Sequence, residues 1–456
     1  MGKLTRTIVL EDVREAALRP SKPSSWKFWA LAGGLGLLVL WGVVSYVYQL
    51  LYGLGVAGYS DRSFWGIYEA NLVAFIALSY GGALVSAILR LTQAHWRAPI
   101  TRLAESMAVF SLLVGMTFAV VHLGRPERIW ELIATPQVAS PIFWDFVVIS
   151  TYLMATLVFL YLPLVPDLAI VRDRIPAPTF WQRLLYGGLS LNWRNNPAQR
   201  SILNRAITTV AILIIPLAVF VHSVLSWAFA LTGRPGWDST IFAPDFVVAA
   251  LYSGVAMVLL VIAGFRHAYR LDAYTTLKHF RYLAFILLTL NVLYLYFTFT
   301  ELLTEGYVMN DEVVPVLLAL LVGSYAPAFW LFVLGAGLAP LLLIAIPATR
   351  TITGIVVASS LVVAGMWLKR ILIVVPVVAH PLITGVWGTF APTGIAMGIT
   401  IGAAAAIPLL LMLFFKLVPV LSIDEMEEVA AEEASPVPST VGRAVGQALA
   451  DGGALQ

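Results

Sequence analysis

The sequence predicts an all-α integral membrane protein of about ten transmembrane helices, and three features carry that prediction. Of the 456 residues, 60% are hydrophobic and only 12% are charged, against roughly 45–50% and 25% in soluble domains. Apolar runs recur from Trp29 to Lys416, each near the ~20 residues that cross ~30 Å of hydrocarbon at ~1.5 Å per residue. Lipid offers no partners to backbone N–H and C=O groups, so the spanning elements must be helices, which satisfy their own.

Taken in order, the first span, 28–50, follows a polar stretch of more than twenty residues and has no small-residue cleavage site after it. It is expected to stay as an anchor, not to leave as a signal peptide. The second, 67–91, carries Glu69 and Asn71 at its outer end and Tyr80, Gly81 and Gly82 further in, the glycines suiting close helix packing. The third, 102–123, closes on Val121-His122-Leu123-Gly124-Arg125-Pro126, and the fourth, 143–165, opens on Phe143-Trp144-Asp145-Phe146. His222 lies inside the fifth, 205–231, and Asp245 at the start of the sixth, 244–265. Glu301 ends the seventh, 279–303; the eighth is 327–347; Lys369 and Arg370 interrupt the ninth, 352–377; the tenth is 390–418.

A formal net charge of +3 is too small to suggest nucleic acid, but its distribution sets a topology. Lys3, Arg6, Arg14, Arg19, Lys22 and Lys27 precede the first span, and Arg90, Arg97, Arg172, Arg174, Arg194 and Arg266 fall in even-numbered connections. Those segments are expected on the cytoplasmic side, whereas Glu305, Asp311 and Glu312 fall in a loop on the other. Both termini then lie inside. The chain divides into an N-terminal cytoplasmic segment, 1–27, a transmembrane domain, 28–418, and a tail, 419–456, whose acidic then Pro, Ser and Gly-rich composition predicts a flexible cytoplasmic segment.

Ionisable groups at membrane depth cost at least ~2.5 kcal/mol each on insertion scales, so the few present are functional candidates. His122 and Asp145 fall on the same, non-cytoplasmic face. An imidazole beside a carboxylate, walled by Phe143 and Trp144, suits a two-electron, two-proton quinol, because one group can accept a hydroxyl proton and the other relay it. The competing reading is that His122 and Asp145 complement helix termini. His222, Asp245, Glu301, Lys369 and Arg370 form a second set, read as a proton route or as satisfied structural groups; adjacent cations on a helix point apart, so at least one of Lys369 and Arg370 should face protein. Asp145-Phe146-Val147-Val148 with Tyr152 is echoed by Asp245-Phe246-Val247-Val248 with Tyr252. Zero cysteines exclude disulfides and any iron–sulfur cluster held by Cys of this chain, and no helix presents two His on one side for a b-type haem. No metal site is expected, nor any nucleophile with its base.

The run Leu84-Val85-Ser86-Ala87-Ile88-Leu89, the motif His122-Leu123-Gly124-Arg125-Pro126, Trp144-Asp145, Pro166-Asp167-Leu168-Ala169 and the stretch from Arg234 to Phe242 together resemble the NrfD/polysulfide-reductase membrane subunits. More narrowly they resemble the ActC-type subunits of bacterial alternative complex III. That resemblance implies two four-helix bundles, helices two to five and six to nine, with two peripheral helices and no bound haem or Fe–S cluster. It implies menaquinol or ubiquinol as substrate near the periplasmic face of a bacterial inner membrane. It also implies partners: a periplasmic iron–sulfur subunit, a multihaem c-type cytochrome and a second NrfD-like membrane subunit. His122 and Asp145 match the expected quinol-site positions, and Tyr80, Phe143, Trp144 and Arg125 are the further quinol-site candidates. Tyr80 stands where the family often carries His, and Lys369 where it often carries Glu. A secondary transporter or proton channel without redox role is the alternative, and a pure scaffold the third reading.

Overall fold

The computed structural model describes residues 11–174, 179–381 and 385–433. Ten helices in it are long and apolar enough to cross a membrane, in agreement with the ten predicted spans. They are α1 (Trp26–Tyr52), α2 (Ile67–Leu91), α3 (Ala98–His122), α4 (Pro141–Arg174), α5 (Pro197–Ala230), α6 (Phe242–Tyr269), α7 (Leu277–Val308), α8 (Ala326–Ala345), α9 (Ile352–Ala379) and α10 (Gly394–Leu417). Several extend past the predicted ends, because proline at a first helical position and a polar cap such as Asn196 start helices outside the apolar run, whereas α10 starts inside its predicted span, after the Thr393 cap. Large apolar side chains such as Leu37, Ile212, Phe299 and Leu331 point outward; the hydrocarbon of the bilayer is the solvent that suits them.

Helices α2–α5 pack as one four-helix bundle and α6–α9 as a second, while α1 and α10 pair at the side against α3 and α2. The bundles meet along α2 and α6. There Gly81 and Gly254 lie so close that a Cβ on Gly81 would stand 2.1 Å from the carbonyl carbon of Gly254. Gly82 similarly faces the Ala104 carbonyl of α3, so both glycines serve close packing, as expected. The α1–α10 pair uses the same device: Gly42 abuts Gly398 and Gly402.

In α8 the turn Val333–Leu338 widens to π-helical geometry. Pro340 has no N–H to offer the Ala336 carbonyl four residues earlier, and the hydroxyl of Tyr252 donates to that oxygen instead at 2.6 Å. Asn291 of α7 donates to the neighbouring Gly337 carbonyl at 3.0 Å. A proline-freed backbone inside the second bundle is thus satisfied by side chains of α6 and α7.

Among the described residues, the segments before α1 and after α10 share one face with the even-numbered connections, the terminal face, and the odd-numbered loops share the opposite loop face. On the terminal face the tail departs from the flexible segment expected for 419–456. Its first part forms a helix, α11 (Ile423–Glu433), with Ile423 and Glu425 buried; residues 434–456 lie outside the described residues. Asp167 of α4 explains the docking. Its carboxylate accepts from the N–H groups of Ile423 (3.2 Å) and Asp424 (3.0 Å), capping α11 from another helix, and pairs with Arg102 at 2.9 Å. Glu425 then pairs with Arg90 at 2.7 Å and Arg97 at 2.6 Å. An acidic run reads as solvated only until a cluster of guanidinium groups is folded beneath it.

Candidate functional site

At the loop face, the end of α3 and the start of α2 bring an acid and an imidazole together. His122 Nδ1 contacts Glu69 Oε1, and Glu69 is buried while His122 keeps 28% of its side chain exposed. Glu69 Oε2 accepts from the Gly66 N–H at 2.6 Å, capping its own helix, and from the Tyr59 hydroxyl at 3.3 Å. Tyr59 Oη in turn accepts from the Tyr68 N–H at 2.9 Å. Burial, reinforced by the Glu69 carboxylate, pushes the Tyr59 phenol well above its ordinary pKa, so it stays a proton-bearing donor. Tyr59 also stacks on Tyr68 at 5.1 Å and meets Phe390 edge-on at 5.3 Å, which roofs the group with aromatic surface. Gln49 of α1 donates to the Val121 carbonyl at 3.0 Å and accepts from the Tyr68 hydroxyl, tying the peripheral helix to the same spot.

The carboxylate that meets His122 is therefore Glu69, where the sequence points to Asp145. Asp145 sits just past the first turn of α4, the helix packed beside α3, with its Oδ1 buried and without a hydrogen-bond partner. Phe143 is half-buried; Trp144 is 42% exposed and donates to the Val138 carbonyl at 2.8 Å. Arg125 lies exposed in the loop beyond Gly124, whose φ of +67° turns the chain after α3. Tyr80 is elsewhere: it is fully buried deeper in α2, its ring edge-on to His222 at 4.4 Å.

The second predicted set does converge, at the inter-bundle seam. Asp245 of α6 lies within Coulombic range of Glu301 of α7 and of Lys369 and Arg370 of α9, Glu301 within range of Lys369, and His222 of α5 within range of Arg370. Lys369 and Arg370 point apart as helix geometry requires: the ammonium lies 5.5 Å from the Phe332 ring, and the guanidinium 4.8 Å from that of Phe246. Arg370 is 2% exposed and Asp245 4%, and Arg370 Nη1, Nη2 and Asp245 Oδ1 have no hydrogen-bond partner. Among the described residues there is no group of three His, Cys, Asp or Glu able to hold a metal ion.

Glu69 stands near the start of an apolar span, a cue visible in the sequence, but nothing in the spacing links it to Tyr59, Gln49 or His122. Those links run between α1, α2, α3 and the first loop.

Curated relatives extend over most of the chain. A provisionally assigned dimethyl sulfoxide reductase membrane subunit of Halobacterium salinarum is 29% identical over 85% of this chain and 90% of its own length. A selenate reductase subunit of Mesobacillus selenatarsenatis is 24% identical over 89% and 96% respectively. The Hdr-like menaquinol oxidoreductase integral membrane subunit of Archaeoglobus fulgidus is 24% identical over 73% and 75%. The family model for polysulphide reductase, NrfD, matches residues 55–381, which hold α2 through α9 and both polar clusters. Matched by that model over most of its length, the chain belongs to the NrfD polysulphide reductase family of multi-pass membrane proteins.

Proposed function

We propose that this chain is the quinol-oxidising membrane subunit of an electron-transfer complex. The observation that carries the proposal is the buried Glu69 against the partly exposed His122 at the loop face, under the rings of Tyr59 and Phe390. The Glu69 contact holds His122 Nδ1 and leaves Nε2 for a quinol hydroxyl, the orienting arrangement general bases use. Oxidation of a quinol to a quinone releases two protons and two electrons. His122 takes one hydroxyl proton and the unpaired carboxyl of Asp145 the other, while the electrons pass to an acceptor in a partner subunit at the same face.

Support for the quinol comes from the Archaeoglobus relative, whose name states a menaquinol oxidoreductase; support for partners comes from all three relatives, each named as one subunit. By the resemblance to alternative complex III, the acceptor is an iron–sulfur protein followed by a multihaem c-type cytochrome, beside a second NrfD-like subunit. The loop face is then periplasmic and the arginine-rich terminal face cytoplasmic in a bacterial inner membrane. His222, Asp245, Glu301, Lys369 and Arg370 supply a proton route at the bundle seam.

The test is turnover in the assembled complex. His122→Ala and Asp145→Asn are expected to abolish quinol:acceptor activity with haem content unchanged. Wild-type rates in both variants would remove the site assignment.

A further inference from the structure

A cavity of about 430 Å³ lies between α2, α6, α9 and α10, within the roughly 300–1,000 Å³ typical of ligand pockets. Its wall is largely apolar, with Phe75, Leu78, Met257, Met366, Met397 and Ile407 prominent. Ser253, Thr400, Trp367 and Arg370 are the polar side chains that reach it. Three of these are already engaged. Ser253 Oγ donates to the Ala249 carbonyl at 2.9 Å, and Thr400 Oγ1 donates to the Ala396 carbonyl and accepts from Asn71 Nδ2, both at 2.8 Å. Trp367 Nε1 donates to Asn71 Oδ1 at 2.7 Å. Arg370 differs, being 2% exposed with Nη1 and Nη2 both buried and unpartnered.

An occupant that suits this wall has an apolar body and a hydrogen-bond acceptor for the unpartnered guanidinium. Charge narrows the class further. Asp245 already stands within Coulombic range of Lys369 and Arg370, and Glu301 within range of Lys369. A carboxylate amphiphile would add a third acidic group to this buried site together with the cost of desolvating it, which a neutral carbonyl does not carry. An oxidised quinone offers two carbonyl acceptors on an apolar ring for the Arg370 guanidinium, whereas a quinol offers that cation only hydroxyl oxygens, poorer acceptors than a carbonyl.

We propose that the cavity between the bundles binds a second quinone in its oxidised form, with the Arg370 guanidinium donating to a ring carbonyl. This rests on the reading that the complex works on a quinol, and it places a separate quinone away from the His122 site. The cavity wall and that site are joined by a run of rings: Phe75 stacks on Phe118 at 5.6 Å, and Phe118 lies 6.0 Å from Tyr68, whose N–H holds Tyr59.

The experiment is photolabelling of the assembled complex in phosphatidylcholine nanodiscs with a short-tailed azidoquinone, followed by peptide mapping. Two labelled regions are expected, one in loop-face peptides around Glu69 and His122 and one in α9 and α10. Ala404→Trp, which fills the cavity from the α10 wall, should lower the second label at least tenfold and leave turnover at saturating quinol within twofold. Arg370→Met should lower the same label without filling space. Label at the loop face alone overturns this inference and spares the quinol reading; label at neither overturns both. An α9 and α10 label that survives both substitutions, or that oleate displaces and excess menaquinone-4 does not, also overturns it.

Discussion

Glu69 of α2 and His122 of α3, 53 positions apart in the sequence, meet at the loop face, and the same carboxylate caps α2 through the Gly66 N–H at 2.6 Å. One oxygen is structural and the other orients the imidazole. Glu69→Gln keeps an acceptor for Gly66 and Tyr59 but removes the charge opposite His122. Turnover with quinol should fall by about 10²-fold or more, in the range typical of lost general-base function, while the complex still assembles. Steady-state kinetics on fully assembled complex checks this.

The seam between the bundles is intolerant of any side chain. A methyl on Gly254 would come within 2.3 Å of the Gly81 nitrogen, and backbone cannot swing aside as a side chain can. Gly254→Ala should destabilise by at least the ~1–3 kcal/mol of core overpacking, read as a lower unfolding temperature in detergent. Gly264→Ala on the same helix meets nothing within 4 Å and should be neutral or stabilising, up to ~1 kcal/mol, from helix propensity.

The docked helix α11 should depend on pH. Burial alone would raise the Glu425 carboxyl, but the guanidinium groups of Arg97 and Arg90 outweigh it and hold it below its ordinary value. A carboxyl with a lowered folded pKa contributes stability that is full above the unfolded value, about 4.3, and lost as pH falls through the folded one. Protease cleavage near α11 should therefore rise only below about pH 4.3. Glu425→Gln should expose the segment at neutral pH, since breaking a buried pair from one side costs about 3–5 kcal/mol.

With no native cysteine, any introduced one reports alone. In intact cells an impermeant maleimide should label Asp311→Cys, in the α7–α8 loop, and miss Asp272→Cys, between α6 and α7. The reverse pattern would invert the proposed orientation.

Much of the architecture was legible in the sequence. The ten spans are written in apolar run length, which is a local property, and the glycine pair at 81 and 82 announced close packing. That Lys369 and Arg370 point apart followed from helical periodicity alone. The acidic tail misled, because composition does not show that Asp167, Arg90, Arg97 and Arg102 gather under it. The partner of His122 was likewise hidden: Asp145 is nearer to it in sequence than Glu69 is, yet Glu69 is its partner in space.

By itself, then, the sequence determined which segments enter lipid and which side chains are costly enough there to matter, since both depend on the transfer of single residues and runs from water. Tertiary structure decided which of those side chains meet. Contacts between helices depend on crossing points such as Gly81 with Gly254, which bring α2 against α6 and α9, and no local pattern encodes the rotation of one helix against another.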